Sequence, residues 1–196
     1  MTLQFLAGGS HHDIRRIAGT SKASFYRIVC LVVEAINGSR ELRLTFPCSP
    51  TERKESAAAF KSLSVGGLFL VCVGCIDGWL CAIRAPRMRE TGGVGPQRYY
   101  SGHYRRYGVN VQPCCDYRCR FTYLNVAQPG SCNDSHAFQL CALSGTLSQK
   151  EISFYLIGDN AFVCGAHMLT PFTSNEGTTR ERDAYNFHLS QLRIRI

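Results

Sequence analysis

Acidic residues are the scarce charge in this chain: 14 Asp and Glu stand against 22 Lys and Arg, a formal net charge of +8 over 196 residues. That balance favours a polyanionic partner, nucleic acid first among them. A long apolar run is also missing. The most apolar stretch, Leu68 to Ile76, is far too short to span a bilayer, so no membrane span is expected. Met1 to Gly9 carries no basic region followed by a long apolar stretch, so no signal peptide is read there. Charged residues make up only 18% against 45% hydrophobic, which argues against disorder and for a packed core. No internal repeat or low-complexity tract is present.

Without secretion, the 11 cysteines do not read as a disulfide framework. Most sit inside apolar, strand-like runs, where a free thiol behaves as a small buried hydrophobe. Cys72-Val-Gly-Cys75 has zinc-ligand spacing, but no second pair of that form follows, so core cysteines are favoured over a structural zinc.

Three textures divide the chain. Residues 1–37 read as a helix-turn-helix-like segment. Ser10 caps a first helix with an apolar face of Ile14, Ile17 and Ala18, Gly19-Thr20 makes the turn, and Ser21 caps a second helix carrying Phe25, Ile28, Val29, Val32, Val33 and Ile36 at helical spacing. Helix, tight Gly turn, helix is the outline of a DNA-reading motif, in which Ser21, Lys22, Ser24 and Arg27 would face DNA. An ordinary helical hairpin fits the same pattern. Residues 38–66 read as a connector containing a polar helix from Thr51 to Ser62. Residues 67–196 read as α/β: a buried strand Leu68–Ile76, a loop from Arg84 to His103, and strands Tyr107–Cys115 and Arg120–Val126 around a turn. A helix from Asp134 through Leu143, a strand Phe154–Ile157 and a last helix from Arg182 to Ile196 complete it.

Three aspartates fall at element boundaries in this order. Asp77 ends the first strand, Asp134 begins a helix after the hairpin, and Asp159 follows a later buried strand. In an RNase H arrangement, parallel strands side by side would bring such carboxylates to one edge of the sheet. Convergent carboxylates repel unless a cation sits among them, and hard Mg²⁺ or Mn²⁺ ions prefer oxygen ligands. Singly, each aspartate has a plainer reading: Asp134 as a helix cap, Asp77-Gly78 and Asp159-Asn160 as turns.

Taken in order, Gly74-Cys-Ile-Asp77-Gly78, Tyr99-Tyr-Ser-Gly-His103, Tyr107-Gly-Val-Asn-Val111, Pro129-Gly-Ser-Cys-Asn-Asp134-Ser135, Tyr155-Leu-Ile-Gly-Asp159-Asn-Ala-Phe162, Leu169-Thr-Pro171 and Asn186-Phe187 resemble the blocks of the Harbinger-type DDE endonuclease domain. The upstream segment Leu6 to Asn37 resembles the helix-turn-helix region that precedes that domain. The resemblance implies an RNase H-like mixed sheet flanked by helices and preceded by a small helical segment. It also implies metal-dependent cutting of DNA and joining of 3′ ends at transposon termini, with Mg²⁺ or Mn²⁺ as cofactor. Asp77 and Asp159 take the place of the triad aspartates and Asp134 that of an auxiliary carboxylate, although Asp134 can instead be counted in the triad.

The family's final glutamate lies on the closing helix beyond a segment similar to Asn186-Phe-His-Leu-Ser190, and the run Arg193-Ile-Arg-Ile196 is the last of this sequence. The resemblance therefore implies a chain cut short before that glutamate, with little or no cleavage of its own. Glu181 does not match that position. DNA is the implied partner, with a Myb-like DNA-binding protein beside it, possible self-association and a nuclear place of action. Arg84, Arg87, Arg89, Arg98, His103, Arg105 and Arg106 lie between the first strand and the hairpin, where Arg105 and Arg106 are assigned to DNA phosphate. The alternative is a non-catalytic DNA-binding protein derived from such a transposase.

Overall fold

The structure, a computed structural model, describes residues 1–148, 154–173 and 179–194. It divides into two compact units, Met1–Arg43 and Leu44–Ile196. No helix among the described residues is long and apolar enough to cross a membrane.

The first unit consists of α1 (Thr2–Leu6), α2 (His11–Ile17) and α3 (Lys22–Gly38). They close on Ile14, Phe25 and Val29, with Met1, Phe5 and Val33 packed against them. Gly19, at φ +60°, turns the chain out of α2. Its N–H donates to the Arg16 carbonyl at 3.3 Å and that of Thr20 to Arg15 at 3.1 Å, a closure that needs a left-handed residue and so suits glycine. Ser21 caps α3 by accepting the Ser24 N–H at 3.1 Å. Two expectations fail locally. Ser10 holds the N-cap position without a side-chain cap bond, and, with Ala18 exposed as well, the expected apolar face loses Ile17 to solvent. As the last residue of a two-turn helix it has passed beyond the small core that Ile14 enters. The opening helix α1 carried no sequence signal.

In the second unit, α4 (Pro50–Leu63) begins with a reciprocal cap. Ser49 Oγ accepts the Glu52 N–H at 3.2 Å, and Glu52 Oε2 accepts the Ser49 N–H at 2.9 Å. This helix is no free connector: Ala57 and Phe60 are buried, and Ser56 Oγ donates to the Val73 carbonyl at 3.2 Å.

The buried strand expected over Leu68–Ile76 is shorter, β1 at Cys72–Ile76. Gly66 and Gly67, both at positive φ, make a turn that leaves Leu68 and Leu70 exposed. Beyond Asp77-Gly78 the chain does not turn away. β2 (Trp79–Ala82) continues in the same register against β4 (Arg106–Cys115), with Cys75 opposite Cys115 and Trp79 opposite Val111. The ribbon is interrupted only where Asp77 faces Pro113. The Asp77 N–H donates to the Pro113 carbonyl at 3.2 Å, but proline has no N–H to return.

The short β3 (Tyr100–Ser101) and β5 (Phe121–Pro129) both pair with β4. On the other side β6 (Tyr155–Ile157) runs parallel to β1, and β7 (Met168–Leu169) parallel to β6. This is the RNase H-like mixed sheet read from the sequence; β2, β3 and β7 are additions to that reading. The helix expected from Asp134 through Leu143 is two, α5 (Asp134–Gln139) and α6 (Ala142–Ser148). The last helix, α7, spans Arg180–Arg193; Arg195 and Ile196 lie outside the described residues.

Two apolar clusters cover the sheet. One packs Ile76, Cys114 and Leu156 with Phe138, Leu143 and Leu147 of α5 and α6. The other packs Cys75, Cys115 and Ile157 with Leu189 and Leu192 of α7. All cysteines are free, five of them buried. Burial pushes the Cys72 and Cys114 thiols well up, and Cys115 up to about 12, as small core hydrophobes require.

Candidate metal centre

The parallel pairing of β1 and β6 places Cys75 opposite Ile157. Two residues beyond this pair each chain segment carries an aspartate, so Asp77 and Asp159 follow neighbouring strands at the same level. Asp77 Oδ1 accepts the Gly78 N–H at 2.8 Å. Asp159 Oδ1 accepts the Ala161 N–H at 2.9 Å, a local turn that leaves its other oxygen free of backbone partners among the described residues.

Asp134 comes from a separate element, the first turn of α5. It is not the helix cap. Asn133 is, its side chain accepting the His136 N–H at 2.8 Å. Two amides of β4 hold Asp134 instead: Asn110 Nδ2 donates to its Oδ1 at 2.7 Å, and Gln112 Nε2 to its main-chain carbonyl at 2.6 Å. The carboxylate rests on the backbone of Gly78, where an added Cβ would overlap it.

Asp77, Asp134 and Asp159 line one cleft of about 830 Å³. Burial raises the Asp134 carboxyl above its ordinary value; the Asn110 bond opposes this, and the charges of Asp159 and Asp77 add to the rise. An acid already strained by two neighbouring negative charges is the electrostatic setting a cation relieves. The donor set is carboxylate and amide oxygen, with the buried Asn110 Oδ1 unpaired among the described residues, and it suits Mg²⁺ or Mn²⁺ better than a soft metal. Among the described residues no three His, Cys, Asp or Glu side chains close on one point, so the carboxylates share the cleft without forming a tight cage.

Arg105 and Arg106 are exposed but do not line this cleft; the loop before β4 contributes Ser101, Gly102, His103 and Tyr104 to it. Arg105 occupies the left-handed turn at φ +52°, and Arg106 Nε reaches back to the Tyr104 carbonyl at 3.4 Å. Ser21, Lys22, Ser24 and Arg27 are exposed on the opening turns of α3 and its cap, in the first unit. Sequence reasoning misses a supporting role for Asn110 and Gln112 and reads Gly78 only as part of a turn. The signal for the pair was present in two amides alternating on a strand otherwise rich in Val, Pro and Cys, because period-2 alternation puts both on one face.

Sheet and cleft together define an RNase H-like domain with an acidic centre. The model of the DDE superfamily endonuclease family matches residues 76–196, more than half the chain and all three aspartates, and the chain belongs to that family. No curated protein and no solved structure matches it.

Proposed function

We propose that this chain is a Harbinger-type DDE nuclease whose Asp77, Asp134 and Asp159 hold divalent metal at a DNA phosphodiester, the chemistry of cutting and rejoining transposon ends. The observation that carries this is the departure of Asp77 and Asp159 at one level from adjacent parallel strands, with Asp134 brought into the same cleft. Mg²⁺ or Mn²⁺ bound there would lower the pKa of an attacking water and neutralise the leaving oxygen. The chain's own residues do the rest. Asp77 and Asp159 offer oxygens from just beyond adjacent parallel strands, Asp134 assists from α5, and Asn110 and Gln112 hold Asp134 in place.

Calorimetric titration of Mn²⁺ tests this. Binding that weakens at least tenfold in Asp77→Asn and Asp159→Asn supports the reading. Equal binding in parent and variants, or none in any, removes it.

A second reading, a transposase-derived DNA-binding protein without catalysis, is favoured by the first unit. It folds around its own core and exposes Ser21, Lys22, Ser24 and Arg27 on the helix that follows the Gly19 turn, as a recognition helix would. DNA affinity that survives alanine at all three aspartates and ignores metal supports it. A nuclear place of action, a Myb-like partner, phosphate contacts by Arg105 and Arg106, and self-association are further parts of the nuclease proposal, of which the family and the net charge of +8 support the contact with DNA.

A further inference from the structure

The cleft that gathers the carboxylates has an aromatic wall. Trp79, the single tryptophan of the chain, follows Asp77 by two residues on the β1–β2 ribbon and is 59% exposed. Tyr104 is 50% exposed and meets His103 edge-on, ring centroids 4.7 Å apart. All three rings line the same cleft as Asp77, Asp134 and Asp159, and none belongs to either apolar cluster of the sheet. Large rings normally bury most of their surface; here they face solvent beside the acids.

We propose that Trp79, Tyr104 and His103 form a stacking platform for an unpaired nucleotide base of the DNA on which the carboxylates act. The proposal rests on the nuclease reading and adds the state of the substrate. Residues two apart on a strand share a face and lie about 6.5–7 Å apart, comparable to the span from a nucleotide's phosphate to its base. A phosphate held through a divalent ion at Asp77 would therefore have its base within reach of Trp79. The cleft, about 830 Å³, is the size of a small-ligand pocket; it takes one or two nucleotides and no duplex, so a base must leave its stack to enter. Every base has a π-face, so the platform selects for the unpaired state and tolerates any sequence.

Being the only tryptophan, Trp79 reports its own contacts. The full chain in Mg²⁺ is titrated with a blunt DNA duplex and with the same duplex carrying a short unpaired end, following tryptophan emission and, in parallel, DNA anisotropy. The unpaired end is expected to quench Trp79 at least twofold more than the blunt duplex. Trp79→Ala and Tyr104→Ala, each checked for a parent-like circular dichroism spectrum, are expected to weaken binding of the unpaired end about five- to hundredfold and to spare the blunt duplex. If both DNAs bind with the same emission change and both variants bind as the parent does, the platform is overturned while the nuclease reading stands. If neither DNA binds, both are overturned.

Discussion

Asn110, 6% exposed in the middle of β4, donates from Nδ2 to Oδ1 of Asp134 at 2.7 Å and ties the strand to the first turn of α5. The bond fixes one carboxylate oxygen of a residue that lines the cleft. Partners of this kind behind a metal ligand typically govern affinity by about 10- to 100-fold. Asn110→Ala is therefore expected to weaken Mn²⁺ binding by about that factor in calorimetry; unchanged affinity would show that Asp134 needs no support.

Gly78 leaves the room that Asp134 occupies. A methyl group there meets the carboxylate itself, so Gly78→Ala is expected to cost about 1–3 kcal/mol of stability by overpacking. In an Asp134→Ala background the same change should cost little, because the colliding group is gone. A double-mutant cycle by urea unfolding gives the coupling; additive effects would place the clash elsewhere.

The raised Asp134 carboxyl implies a metal-free protein held back by its own centre. A carboxyl whose folded pKa lies above its unfolded value makes the folded state the stronger proton binder. Stability then increases as pH falls through the folded pKa and the gain is complete below the unfolded one. Asp134→Asn is thus expected to raise the Tm at neutral pH without divalent ion and to flatten this pH dependence. A lower Tm in thermal melts followed by circular dichroism would contradict the argument.

Asp116 shows the opposite sign. Burial works against its charge. The Arg120 guanidinium at 2.7 and 3.0 Å and the N–H groups of Arg118 and Arg120 at 2.9 and 3.0 Å outweigh that and hold the carboxyl below its ordinary value. Its stabilisation is present above the unfolded pKa and lost as pH falls through the folded one. Asp116→Ala should cost about 1–3 kcal/mol by the bonds removed from the β4–β5 turn. Urea unfolding at neutral pH checks it.

The cysteines can be counted by accessibility. Cys30, Cys48, Cys119 and Cys164 are exposed, whereas Cys72, Cys75, Cys114, Cys115 and Cys141 are buried. A thiol reagent should modify the first four quickly in the native protein and reach the buried five only in denaturant. Fast reaction of more than the exposed and half-exposed thiols would mean the sheet is not packed as described.

Apart from α1, β2, β3 and β7, the sequence by itself determined the main strands and helices and where the acids fall along them. Chemistry local to a few residues places them: Ser21 as a cap, Gly19-Thr20 as a turn, an apolar run for β1, and aspartates at Asp77, Asp134 and Asp159. Only the tertiary structure decided what those residues do for one another. The register against β4 shows Asp77 inside a continuing ribbon where local reading gave a turn. The capping bond of Asn133 frees Asp134 from that role. Asn110 and Gln112 reach Asp134 across more than twenty residues, and Gly78 matters through a neighbour distant in sequence. Caps and turns involve groups within about four residues and are written in local order. A carboxylate's charge, room and orientation depend on strand pairing across the sheet, and pairing distant segments is the work of folding.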